Sequence, residues 1–161
     1  MTEIHNGNNL EVLKTFSDNS VDSVVTDPPY GLSFMGKAWD YDVPKSDLWR
    51  EVFRVLKPGG RFAVSDVVVR GQVPPAIRQS MELWVGCIAG ALHERDYVQK
   101  LVAAGFEQPT VERWRVYHPK DAAAFLGDAG LSDDAIRSAE GAFASAFIRA
   151  VKPGARAADA G

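Results

Sequence analysis

The chain has 161 residues, 46% of them apolar and 24% charged, which is the make-up of one ordinary globular domain with room for a core. Its formal charge of −3 is unevenly spread, with four Lys/Arg against eight Asp/Glu over residues 1–50 and fourteen against thirteen beyond, so no basic stripe marks a free-standing grip on nucleic-acid phosphates. A single cysteine, Cys87, excludes an internal disulfide and suits a reducing cytoplasm, and no apolar run reaches the ~18 residues of a membrane span or forms a leader pattern.

Glu3–His5 reads as a short strand and Asn9–Phe16 as a helix, with Leu10, Leu13 and Phe16 on one face. After a turn at Ser17–Ser20, the β-branched run Val21–Thr26 predicts a buried strand. Gly31–Pro44 is loop-like. A helix capped by Ser46 or Asp47 runs to Lys57 and is ended by Pro58-Gly59-Gly60. Arg61–Val69 is the next strand. Pro75–Ala91 and Glu94–Ala104 are helical, the second stopped by Gly105. Thr110–Tyr117 alternates like a strand, with Val111, Trp114 and Val116 as its apolar members. Asp121–Leu126 and Asp133–Ser138 are short helical pieces, and Ala142–Val151 is a last strand. Residues 1–153 form one domain on this reading, and 154–161 a disordered tail.

Strands alternating with helices, closed by a strand pair, predict an open α/β sheet with helices on both faces and ligands at the carboxyl ends of its strands. Two acidic positions stand at such ends, Asp27 and Asp66, the second as a turn or helix-capping group. The chain contains no Gly-x-Gly-x-x-Gly after a strand, and Gly59-Gly60 follows a helix instead.

Asp27-Pro28-Pro29-Tyr30 is the sharpest motif. A reaction at an exocyclic amino nitrogen has to localise a lone pair otherwise spread into the base ring. Hydrogen bonds from that amino group to Asp27 and to the Pro28 carbonyl would do this, and two prolines stiffen the loop without offering competing amide hydrogens. Tyr30 would stack on a flipped base, with Phe34 and Trp39 lining its pocket. With Asn6-Gly7-Asn8, Asp18-Asn19-Ser20-Val21-Asp22 and Trp39-Asp40, residues 3–60 resemble the start of the adenine-N6/cytosine-N4 DNA methyltransferases. That resemblance implies catalysis through Asp27, Pro28, Pro29 and Tyr30, and DNA as substrate.

Residues 51–152 are similar to a second family. Phe53–Gly60, Ala63–Val68, Glu82–Leu92, Ala103–Phe106 and Ala144–Pro153 resemble the C-terminal part of arsenite methyltransferases, most specifically in Gly86-Cys87-Ile88-Ala89-Gly90-Ala91-Leu92. The resemblance implies Cys87 as an arsenic-binding thiolate, since As(III) is a soft, thiophilic centre. A second thiolate position of that family falls at Pro28. Both resemblances imply S-adenosylmethionine as methyl donor and a class I, Rossmann-like α/β fold, here a partial one lacking its first cofactor-binding strands. The expected function is that of an incomplete arsenite methyltransferase homologue. The alternatives are an amino-methylating DNA enzyme, and a recombined fragment needing a partner. A bare strand edge left by the missing strands implies self-association or a partner chain that completes the sheet. His5, His93 and His118 make no metal-ligand spacing with Cys87.

Overall fold

The computed structural model describes residues 2–28, 45–73, 75, 91–118, 134, 137 and 139–154. The readings at Gly31–Pro44 and Asp121–Leu126, and nearly all of those at Pro75–Ala91 and Asp133–Ser138, lie outside these residues.

Three helices and five strands are defined among the described residues. Helix α1 is Asn9–Lys14, β1 Val21–Thr26, α2 Ser46–Val55, β2 Leu56–Val69, β3 Leu92–His93, α3 Glu94–Ala103, β4 Glu107–Tyr117 and β5 Phe143–Val151. The sheet runs β1-β2-β5-β4, with β3 attached to β2. Strands β1 and β3 lie parallel to β2, whereas β5 lies antiparallel to both β2 and β4. The expected α/β sheet with a closing strand pair is present, and β5 inserts between β2 and β4.

Register fixes the two faces. Val24 pairs with Phe62, Phe62 with Ala150, Val64 with Ile148, and Ile148 with Val111. These residues share one face, against which α2 supplies Val52, Trp49 and Phe53, and α3 supplies Leu101 and Tyr97. Phe106, just after α3, packs its ring at 4.9 Å from Phe53 and 5.4 Å from Phe62. The opposite face carries Val25, Ala63, Phe147 and Arg149. Thus α2 and α3 both lie on one face, and apart from α1 the other helices that were expected fall almost wholly outside the described residues.

Several local expectations are corrected. Glu3–His5 is not a strand. Helix α2 has Lys45 as N-cap with no side-chain cap bond, and Asp47 instead accepts from the Leu48 N–H at 3.0 Å within the first turn. The helix stops at Val55, and Pro58-Gly59-Gly60 lies inside β2. Val21 pairs with Leu56 and Ser23 with Arg61, so β2 advances five residues while β1 advances two. The proline and glycines make the resulting bulge, with Gly59 at φ +77°. Strand β1 is not buried on both faces, since Val25 is 81% exposed.

Two cations tie the helices to the sheet. The Arg54 guanidinium donates to the Leu13 and Phe16 carbonyls, both at 2.9 Å, and pairs with Glu51 and Asp18. It thereby fixes the end of α1 and the turn into β1. Lys152 Nζ, just beyond β5, donates to the carbonyls of Leu56 at 2.7 Å and Phe53 at 2.8 Å, and to Asn19 Oδ1 at 2.9 Å. These carbonyls belong to the last turn of α2 and its C-cap, where a cation also meets the negative end of the helix dipole.

Candidate functional site

The carboxyl ends of β1 and β2 lie side by side. Thr26 pairs with Val64, so Asp27 and Pro28 leave β1 level with Ser65 and Asp66. Asp27 is exposed and Pro28 half-buried. Asp66 sits within β2, which continues three residues past it to Val69, so it is neither a turn residue nor a helix cap. Its Oδ1 accepts from the Val67 N–H at 2.7 Å, and its Oδ2 accepts from the Tyr97 hydroxyl of α3 at 3.2 Å.

Burial is the main cause holding the Asp66 carboxyl above the ordinary carboxylate range, and the nearby Asp27 charge adds to it. The bonds from Val67 and Tyr97 pull the other way. Burial, and then the charge and hydrogen bond of Asp66, raise the Tyr97 phenol in turn. Two carboxylates with unlike surroundings therefore meet here. Asp27 is the exposed member of the pair and Asp66 the sheltered one. Tyr97 escaped the sequence reading because its partner lies 31 residues away on another element.

A groove of about 250 Å³ lies between β1 and the helices α1 and α2. Val24, Val25 and Thr26 form one wall, and His5 and Gly7 with α1 and α2 form the others. Asn8, one of the motif residues, is the N-cap of α1, its Oδ1 accepting from the Leu10 N–H at 2.9 Å. Of the predicted site residues, the structure brings Asp27 and Pro28 to the strand ends; Pro29, Tyr30, Phe34, Trp39 and Cys87 lie outside the described residues. Among the described residues no cluster of His, Cys, Asp or Glu could hold a metal ion, and no helix is long and apolar enough to cross a membrane.

Comparison with known proteins fits this geometry. The arsenite methyltransferase of Halobacterium salinarum is 36% identical over 110 residues, which is 68% of this chain and 26% of that protein. The mouse arsenite methyltransferase is 38% identical over 65 residues, 40% of this chain and 17% of its own length. The crystal structure of an arsenic(III) S-adenosylmethionine methyltransferase from Chlamydomonas reinhardtii superposes with a TM-score of 0.57 at 24% identity, over 93% of this chain and 44% of that one. Geranyl diphosphate C-methyltransferase from Streptomyces coelicolor, solved with S-adenosyl-L-homocysteine, gives 0.51 at 19% identity, over 92% and 51%. At these identities the two structures show a shared fold. The chain spans about a quarter of the Halobacterium protein and under half of the Chlamydomonas structure. The profile of the family described as "Methyltransferase domain" matches residues 2–108, unbroken across the segment where the two sequence resemblances meet. With a parallel β1-α2-β2 unit, an inserted antiparallel β5 and that match, the chain belongs to the methyltransferase domain family.

Proposed function

We propose that this chain provides the acceptor side of methyl transfer from S-adenosylmethionine, with thiol-bound trivalent arsenic as the acceptor. The observation that carries the reading is the similarity to arsenite methyltransferase over 68% of the chain. In the reaction the arsenic lone pair attacks the methyl carbon and the sulfonium S–C bond breaks, leaving S-adenosylhomocysteine. A soft centre calls for sulfur ligands. Cys87 is the one cysteine thiolate in these 161 residues, and small-molecule thiols are able to fill further sulfur positions on the arsenic. The test is arsenite titration of the chain in the presence of a monothiol. Cys87→Ser should weaken binding at least tenfold; undiminished binding in that variant rules the arsenic reading out.

The placement of Asp27 and Pro28 at the carboxyl end of β1 favours a second reading, methylation of an exocyclic amino group in DNA. Asp27 and the Pro28 carbonyl would accept from the amino group, Pro29 would stiffen the loop, and Tyr30, Phe34 and Trp39 would hold the flipped base. Labelled methyl transfer to DNA that disappears in Asp27→Ala supports it, and transfer that persists in that variant removes it.

A further inference from the structure

An aromatic pair stands in water on the sheet face away from α2 and α3. Trp114 of β4 and Phe147 of β5 stack across the ladder, their ring centroids 6.0 Å apart and their planes 21° from parallel. The Arg149 guanidinium lies 5.3 Å from the Phe147 centroid, so Phe147 is engaged by two neighbours. Trp114 is 55% exposed and presents the freer ring. The patch is bounded, because Phe143 and Ser145, earlier on the same face of β5, are buried. Register adds charge around the rings. Arg115 pairs with Ser145, Arg149 with Ala63 and Arg61 with Val151, which puts three exposed arginines on this face against the β4 carboxylates of Glu107 and Glu112. Glu112 is already paired with Arg149. The balance beside the rings is therefore positive, on a chain whose total is −3.

Area and charge together select the occupant. Two aromatic rings bury at most about 300–500 Å², which falls short of the about 800 Å² per partner that a stable protein interface needs. A nucleic-acid duplex keeps its base faces inside its own stack, so it would meet the arginines and leave Trp114 unused. An unpaired base offers a flat π-face to the indole, and its flanking phosphates reach the guanidinium groups beside it. Aromatic side chains on a sheet surface hold splayed bases in this way without reading their sequence.

We propose that Trp114, backed by Phe147 and flanked by Arg61, Arg115 and Arg149, is a stacking platform for single-stranded nucleic acid, on the sheet face away from Asp66 and Tyr97. The inference goes beyond both methyl-transfer readings, and its test has no catalytic readout. The probe is a fluorescein-labelled oligothymidylate of about 20 nucleotides, followed by anisotropy against the full chain at low salt. Saturable binding is expected, at least tenfold tighter than to a duplex of equal length and weakening as salt rises. Trp114→Ala should weaken it at least tenfold, while Trp114→Phe, which keeps a ring, should stay within threefold of the parent. The double variant Arg61→Gln/Arg115→Gln should flatten the salt dependence. Far-UV circular dichroism verifies the fold of each variant. Absence of saturable binding overturns the proposal, as does equal binding of the duplex or undiminished binding in Trp114→Ala. If Trp114→Ala fails to fold, the arginine variant decides, since an unchanged salt dependence there overturns the proposal as well. A dimer of this chain that Trp114→Ala dissolves in sedimentation overturns it too, by putting a second copy on the rings.

Discussion

At the scale of single residues, Lys152 carries more structure than its position beside an Ala/Gly-rich tail would suggest. Its ammonium joins the carbonyls of Phe53 and Leu56 to the Asn19 side chain, and it lies 4.8 Å from the Phe53 ring centroid. Lys152→Met keeps the stem and removes these charge-assisted bonds, and should cost about 1–3 kcal/mol in urea denaturation. Asp66 offers a pH signature. Its pKa is raised in the native state, chiefly by burial and secondarily by Asp27, so the folded chain holds that proton more tightly than the unfolded one. Its contribution to stability is greatest in acid and falls as pH rises from the ordinary carboxylate value, about 4, through the raised one, then levels off. Asp66→Asn should remove that fall and leave the variant more stable than the parent at neutral pH. Melting temperatures of the two proteins across the acid range, compared pairwise, check both points.

At the scale of elements, strand positions were legible where β-branched residues run together, as at Val21–Thr26 and Arg61–Val69, and the closing strand read at Ala142–Val151 is found at Phe143–Val151. Helix α3 was legible from its start to Gly105, which takes φ +93°. What a local pattern does not carry is which faces are covered. Val24-Val25 reads as doubly buried, yet only Val24 meets the core. Pro58-Gly59-Gly60 reads locally as a helix stop, and it is the pairing of Leu56 with Val21 and of Arg61 with Ser23 across the sheet that makes it a strand bulge. Two glycine variants separate the demands of that bulge. Gly59 has a positive φ but open space where a methyl group would stand, so Gly59→Ala should cost about 1–2 kcal/mol. At Gly60 a Cβ would lie 2.7 Å from the Lys57 carbonyl and 3.2 Å from that of Asp22, so Gly60→Ala should cost more, about 3 kcal/mol. In α3, His93 is the N-cap, its Nδ1 accepting from the Arg95 N–H at 3.1 Å. His93→Ala should cost about 0.5–2 kcal/mol and loosen the helix that holds Tyr97 against Asp66. The site was legible in the same partial way: Asp27 stands out in its motif, whereas the Asp66–Tyr97 bond exists only once β2 and α3 are packed together.

At the scale of the whole molecule, stability concentrates where β5 passes between its neighbours. Ile148 is fully buried there, between Val64 of β2 and Val111 of β4. Ile148→Ala should cost about 2–5 kcal/mol in denaturant titration, with the sheet losing cohesion on both sides of β5.

The insertion of β5 also sets an order of events during synthesis. Among the described residues strand β4 pairs with β5 alone, which comes 26 residues or more later in the chain. A ribosome making this protein has to expose β1-α2-β2 as a nascent half-sheet, with β4 trailing unattached, until Phe143–Val151 emerges. Premature termination anywhere between Tyr117 and Phe143 would release a chain with two unfilled strand positions and an open edge on β2. Such truncated products expose unpaired strand edges that chaperones and proteases capture, so β5 works as a latch on the strands made before it.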